Sequence, residues 1–396
     1  MLTRERAAAE AASKARAFKS VALVVGSTGI VGAALVEILP VPGVPAGPWK
    51  VYALSRRPLP PWSAAAASSS SDPDAVVHLQ VDLYDTAAVA KALAPLAAEI
   101  THVFYTAWFY NYCWSDAEAC QRNHAMLRNV LSAVVPTSPR LLHVSLLTCS
   151  NQLGVVDPFE PVAEVTGPYS EDLPRPRLKV ECHDLENALH DGIASRGGAV
   201  TWSVHRPTTI FGFSPRSARN VVSSLCVYAA ICKKANDTLR WPGSRVAWHG
   251  FSEASDAELV GEQMVWGHLG PAFAKNKAFN CANGDVYKWQ QLWPMLASHF
   301  GVEWSGYVAE DQRFRLEEAM VDKEALWAEI VREKGLVETE LDDITNWSFV
   351  DDVISAEKEQ LDTMNKCKEH GFFGFRNTVR CFDKWIRRMK ADRIVP

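Results

Sequence analysis

The sequence predicts an α/β protein with a doubly wound parallel sheet, and three observations carry that expectation. Residues Val21 to Leu39 read as strand, tight turn and helix: β-formers Val21–Val25 stop at Gly26, Gly29 and Gly32 follow at three-residue steps, and an apolar helical pattern begins. Runs of β-formers then alternate with helical patterns and short links up to Pro215. Beyond Asn220 the pattern turns mostly helical, with one last β-like stretch near Ala278–Asn280. The expected division is an N-terminal extension over 1–18, a nucleotide-binding domain over 19–215, and a helical substrate lobe over 216–396. Some strands of the last part are expected to return to the core.

A chain of 396 residues can bury a large core. Its apolar fraction of 48% and charged fraction of 22% are those of a globular protein. A net charge of -5 argues against nucleic acid or an anionic membrane as the main partner. Nine Cys without C-x-x-C pairs or zinc-like spacing read as reduced thiols in a cytoplasmic protein, and no metal site is expected. Glu5 and Glu10 speak against a transit peptide, and no stretch approaches the ~20 apolar residues of a membrane span. The 14 Trp suit a pocket for a bulky apolar ligand, although core packing accounts for most tryptophans in proteins.

Taken in order, the glycines of the first turn permit close approach of a pyrophosphate to backbone N–H groups at a helix N-terminus. The plain alternative is a close strand–helix crossing. The second strand is Trp49–Ser55, and Ser55, Arg56 and Arg57 stand at its end, where a doubly wound fold meets the adenosine ribose. An acid there would bind the 2′-hydroxyl of NAD. Paired arginines instead offer forked donors to a 2′-phosphate, so NADPH is expected over NADH unless the pair is only a solvated basic turn. Residues 61–74 form a low-complexity loop. Val76–Val81 is the third strand, ending in Asp82 and Leu83, and Asp82 is placed near the adenine amino group.

A helix over Thr86–Ile100 leads to a fourth strand, 102–108, whose end Thr106–Ala107–Trp108 should pass the nicotinamide ribose. The next helix carries His124, read as a packing residue. Leu141–Thr148 is the fifth strand, with Ser145 and Thr148 near its end. After a proline-rich passage containing Tyr169 comes a helix over 178–190. Val200–His205 is the sixth strand, and 206–215 the loop at its carboxyl end.

These motifs resemble the plant progesterone 5β-reductase and iridoid synthase family of extended short-chain dehydrogenases/reductases. The resemblance rests on GSTGIVG (26–32), SRRP (55–58), VDLYD (81–85), THVFYTAW (101–108), YSEDLPR (169–175), WSVHRPTTIFGFSP (202–215), CVYAAICK (226–233), NGDVYKW (283–289) and KCKEHGFFGFR (366–376). It implies a Rossmann fold and a reductase that moves hydride from NADPH to the β-carbon of an enone or enal. Family substrates are steroid enones, oxidised monoterpenes and small conjugated ketones, which makes a small apolar carbonyl compound the expected partner; a homodimer is also expected. Cofactor contacts are expected from Gly26, Thr28, Gly29, Ile30, Val31, Gly32, Ser55, Arg56, Arg57, Asp82, Leu83, Thr106, Ala107, Trp108, Ser145, Leu146, Pro207, Thr209 and Ile210.

The chain departs from the family where charge on the carbonyl oxygen must be stabilised. The family's Tyr-Tyr pair, in a motif like NFYYxxED, falls on Cys182 and His183. The Lys of its TGxKHY-like motif falls on Asn151 within TCSNQLG (148–154). Neither His nor Asn gives the fixed positive charge that a Lys places beside a phenol, and losing an oxyanion donor costs ~10²–10³ in rate. Three readings stay open. His183 is the proton donor, or it lies on a solvated helix face with Lys179, Glu186 and His190. Tyr169, Tyr110, Ser145 or Thr148 is the donor instead. Or hydride transfer has been lost, and the fold promotes a non-reducing step such as cyclisation or isomerisation, or only senses the cofactor.

Overall fold

The structure is a computed structural model that describes residues 18–59, 75–109, 117–150, 167–173, 181–270 and 274–396. Strands β1 (Ser20–Val25), β2 (Trp49–Ser55), β3 (Val76–Gln80), β4 (His102–Tyr105), β5 (His143–Leu147) and β6 (Thr201–Pro207) alternate with helices α1 (Ile30–Ile38), α2 (Thr86–Leu93), α3 (Ala117–Val134) and α4 (Glu181–Ile193). Then come β7 (Thr209–Phe211), α5 (Val221–Ala235), β8 (Leu239–Arg240), α6 (Arg245–His249), β9 (Ala254–Asp256), α7 (Ala257–Leu269), β10 (Lys277–Cys281), α8 (Trp289–Phe300) and β11 (Trp304–Ser305). The last third adds α9 (Leu316–Ala319), α10 (Glu324–Lys334), α11 (Leu341–Ile344), α12 (Trp347–Ile354), α13 (Asn365–Glu369) and α14 (Thr378–Ala391).

The sheet runs β10-β6-β5-β4-β1-β2-β3, with every pairing parallel. Chain order reverses between β1 and β4, so the crevice at the carboxyl ends of the strands opens there. The expected boundary at 215 is a boundary in sequence more than in space. Both β10 and α7 come from beyond it, β10 pairs with β6, and α7 packs on α1. The other helices enclose a core of their own, with Trp241, Trp289, Trp293, Trp327 and Trp385 buried in it. Most tryptophans among the described residues thus belong to packing. No helix among the described residues is long and apolar enough to cross a membrane.

Several expected elements are shorter in the structure, among them the fifth strand, which runs His143–Leu147. The helix from Thr86 ends at Leu93 and gives way to turns. The fourth strand ends at Tyr105, because the chain then leaves the sheet to meet the first turn, with the Thr106 amide on the Val25 carbonyl at 2.8 Å.

Residue alternation in β4, β5 and β6 divides the sheet sharply. Val103, Tyr105, Val144, Leu146 and Val204 face an apolar core with α3 and α4. The opposite face, under α7, carries a cluster of polar side chains beside the apolar Phe104 and Leu147. The His143 ring nitrogens lie 2.7 Å from Thr201 Oγ1 and 2.9 Å from Ser203 Oγ, which itself is 2.8 Å from His205 Nε2. His205 Nδ1 is 2.8 Å from Gln263 Oε1, and the His102 and His268 rings meet edge to face at 4.3 Å. Burial holds His102 at about 3 and His205 and His268 at about 4, with His143 well below the ordinary 6.5.

These imidazoles fold neutral, whereas the unfolded chain takes up protons below about 6.5. Their contribution is therefore complete above that pH and declines as pH falls toward about 4. Each such histidine adds a slope of about 1.4 kcal/mol per pH unit. Burial raises the Glu253 and Asp362 carboxyls, which tilt the slope the opposite way, so a difference between variants is the clean readout. Urea unfolding between pH 6.5 and 5 should show a shallower decline in His268→Gln than in the parent chain; equal slopes would contradict the neutral buried cluster.

Candidate active site

The first turn builds the floor of the site. Gly26 has φ +87, and a Cβ on it would lie 2.6 Å from the Ala107 amide nitrogen. A Cβ on Gly32 would overlap the Gly26 carbonyl oxygen, so α1 can sit this close only with glycine there. Gly29 caps α1 without a side-chain hydrogen bond, and first-turn amides are left for a ligand. A cleft of about 350 Å³ lies above, across the carboxyl ends of the strands.

Of the expected cofactor residues, Gly26, Thr28, Gly29, Ile30, Val31, Ser55, Arg56, Arg57, Asp82, Leu83, Thr106, Ala107, Trp108, Pro207 and Ile210 line this cleft. Gly32 instead permits the helix crossing behind it. Ser145 and Leu146 do not line the cleft. Both precede the end of β5, so they remain in the sheet. Ser145 faces α7, its hydroxyl 3.1 Å from the Met264 carbonyl oxygen, and Leu146 is in the apolar core. The chain enters the cleft only at Leu147, Thr148 and Cys149. Thr148 is 6% exposed, and its Oγ1 has no hydrogen-bond partner among the described residues.

At the adenosine end, Arg56 and Arg57 are joined by Arg216, which sequence reasoning missed. An Arg57 Nη1 donates to the Arg216 carbonyl at 3.3 Å, and Arg216 Nε pairs with Asp343 at 2.8 Å. Burial, and then the charges of Arg56 and Arg216, lower the Arg57 pKa, against an opposing pull from Asp343. Three residues beyond Arg216, Arg219 lies over the rings of Trp108 and Phe349, at 5.3 and 5.4 Å. Neither Arg219 nor Phe349 carried a sequence signal, since both reach the site from beyond residue 215.

The expected proton donors are dispersed. His183 is buried, not solvated, and it does not line the cleft. It shares the buried side of α4 with Glu186, which holds the Arg206 guanidinium of β6 at 2.7 Å. The solvated-face reading therefore fails, because the helix turns that side toward the sheet. Asn151, Tyr110 and the Cys182 side chain lie outside the described residues. Tyr169 and Thr209 line a second cavity of about 90 Å³, which also holds Ser150, Thr208, Glu253 and Asp362. There the Asp362 amide donates to Glu253 Oε1 at 2.8 Å, and burial raises both carboxyls. No His, Cys, Asp or Glu group among the described residues could hold a metal ion.

The residues present fit a dinucleotide: an open glycine cradle, an uncapped helix N-terminus and an arginine corner at the adenosine end. Fold and cleft together define a Rossmann-type enzyme of the short-chain dehydrogenase/reductase kind. A family model described as a PRISE-like Rossmann-fold domain matches residues 22–396, and the chain belongs to that family. It is 45% identical to an (S)-8-oxocitronellyl enol synthase of Nepeta cataria, over 96% of this chain and 94% of that protein. It is 44% identical, with the same coverage, to the 3-oxo-Delta(4,5)-steroid 5-beta-reductase of Arabidopsis thaliana. A UDP-glucuronic acid 4-epimerase from Bacillus cereus, solved in complex with NAD, shares the fold. Its TM-score is 0.61 at 13% identity, over 93% of this chain and 99% of that one.

Gly26→Ala places a methyl group against the Ala107 backbone at a φ that L side chains rarely adopt. We expect thermal stability to fall, and the stabilisation that added dinucleotide gives the parent chain to vanish in a melting experiment. A variant that still gains the parent's shift would show that the turn does not seat the cofactor.

Proposed function

We propose that the protein is an NADPH-dependent reductase that acts on an α,β-unsaturated carbonyl compound: a steroid enone, an oxidised monoterpene or a small enone. The observation that carries this is the polarity of one continuous cleft. Arg56, Arg57 and Arg216 gather beside the end of β2, while Trp108, Phe109 and Phe349 line the cleft with only Arg219 charged among them. Arg56 and Arg57, with Arg216 beside them, offer forked donors to a 2′-phosphate. The names of the two relatives supply the substrate class.

When bound, the reduced nicotinamide supplies hydride. The chain's own residues do the rest. Gly26 and Gly29 admit the pyrophosphate to the backbone. Ile30 and Val31 close the floor, and Trp108 and Phe349 narrow the reacting end and exclude water. Hydride arriving at the β-carbon pushes an electron pair through the conjugated system onto the carbonyl oxygen, and the α-carbon or that oxygen later takes a proton. Donors must therefore face the oxygen. Thr148 lines the cleft, and its buried Oγ1 has no hydrogen-bond partner among the described residues, which makes it a candidate once its side chain turns.

A second reading is favoured by the position of His183 in the α4–sheet interface and by Asn151 and Cys182 at the family's Lys and Tyr positions. In it the fold holds the cofactor and guides a non-reducing step on a reactive carbonyl compound.

Two measurements separate these. Loss of reduced-nicotinamide absorbance over a panel of enones and enals tests reduction; product formed without cofactor consumption selects the second reading. Replacing Arg56 and Arg57 together by Ala should weaken NADPH at least ~10-fold and NADH far less, since the lost donors face only the extra phosphate. Equal loss for both cofactors would rule out the assigned role of the pair.

A further inference from the structure

We propose that Arg219 supplies the fixed positive charge that stabilises the anionic carbonyl oxygen of the substrate at the reacting end of the cleft. This rests on the reading of the cleft as a site for conjugated carbonyl compounds. The family's fixed charge is a Lys, and this chain has Asn151 there. Arg219 lines the cleft from the loop before α5. Its guanidinium carbon lies 5.3 Å from the centroid of Trp108 and 5.4 Å from that of Phe349. Rings on the guanidinium hold its plane and displace water, which strengthens its attraction for an anion.

Position decides what that anion is. The adenosine end is at β2 and β3, where Arg56, Arg57, Asp82 and Leu83 stand. Trp108 follows β4, toward the ends of β5 and β6 that carry Thr148 and Thr208, so Arg219 belongs to the reacting half of the cleft. Its loop is braced. Ser214 Oγ donates to the Thr28 carbonyl at 2.8 Å, Asn220 Nδ2 to the Ser214 carbonyl at 2.8 Å, and Asn346 Nδ2 to the Ala218 carbonyl at 2.7 Å. Such bracing fixes the charge before the substrate arrives, as electrostatic stabilisation of a developing oxyanion requires. Thr148, whose buried hydroxyl has no partner among the described residues, lines the same cleft. No proton leaves Arg219. The hydride's electron pair comes to rest as charge on the oxygen, and the guanidinium stays protonated throughout.

The test uses 2-naphthol, a planar phenol whose ionised form imitates the enolate oxygen and emits separately from the neutral form. With the full chain saturated with NADP⁺, the parent should bind naphtholate and lower the ligand's apparent pKa by about one unit. Arg219→Gln should abolish that shift and weaken naphtholate about 10-fold, with NADPH affinity within about 2-fold and the circular dichroism unchanged. Arg219→Lys should restore part of the shift. Where an enone is turned over, Arg219→Gln should lower kcat by ~10²–10³ with little change in KM. A parent chain that fails to bind naphtholate, or an equal shift in Arg219→Gln, overturns the proposal. So does a loss of NADPH affinity as large as the loss of naphtholate affinity, which makes Arg219 a phosphate ligand. Arg219-dependent naphtholate binding in a chain that reduces no enone leaves the inference standing and removes only the reductase reading.

Discussion

Backbone meets backbone where β1 turns into α1, and the placement of everything else follows from that contact. Gly26, at φ +87, sits against Ala107 at the end of β4, and Gly32 lets α1 come down onto the Gly26 carbonyl. Side-chain atoms at either place would push apart the elements that border the crevice where chain order reverses. Holding them together leaves α1 amides without side-chain partners, and it presents Thr106, Ala107 and Trp108 to the same space. Local backbone geometry and a ligand-sized cleft have one cause.

The sheet was legible because its strands are buried on both faces and interrupted by glycine, proline and helical periodicity. Strand ends were less so. β4 and the helix from Thr86 both stop early, since tertiary contacts decide where a chain leaves a regular element. Much of the cleft lining could be read from sequence because its residues follow strand ends, as Arg56 follows β2 and Asp82 follows β3. Ser145 misled for the opposite reason: a hydroxyl near a strand end resembles a site residue, yet alternation turns it toward α7.

Arg216, Arg219 and Phe349 were not found this way. Arg216 and Arg219 lie on the loop before α5, just past the strand-end segment that carries Pro207 and Ile210, and Phe349 comes from α12, far along the chain. Long-range packing alone brings Phe349 there. The histidines under α7 teach a related lesson. His143 and His205 look like candidate chemistry in isolation, but they answer one another and Ser203 inside the sheet–helix layer. Their nitrogens are satisfied by structure, and the rings are kept neutral.

Arg57 reaches the Arg216 carbonyl, and Ser214 on the same loop reaches Thr28 in the glycine turn. The segment that carries Arg219 is thus stapled at two points to the bed of the nucleotide. In the proposed function the two ligands would share that mechanical frame, and ordered addition, coenzyme first, is the expected kinetic consequence.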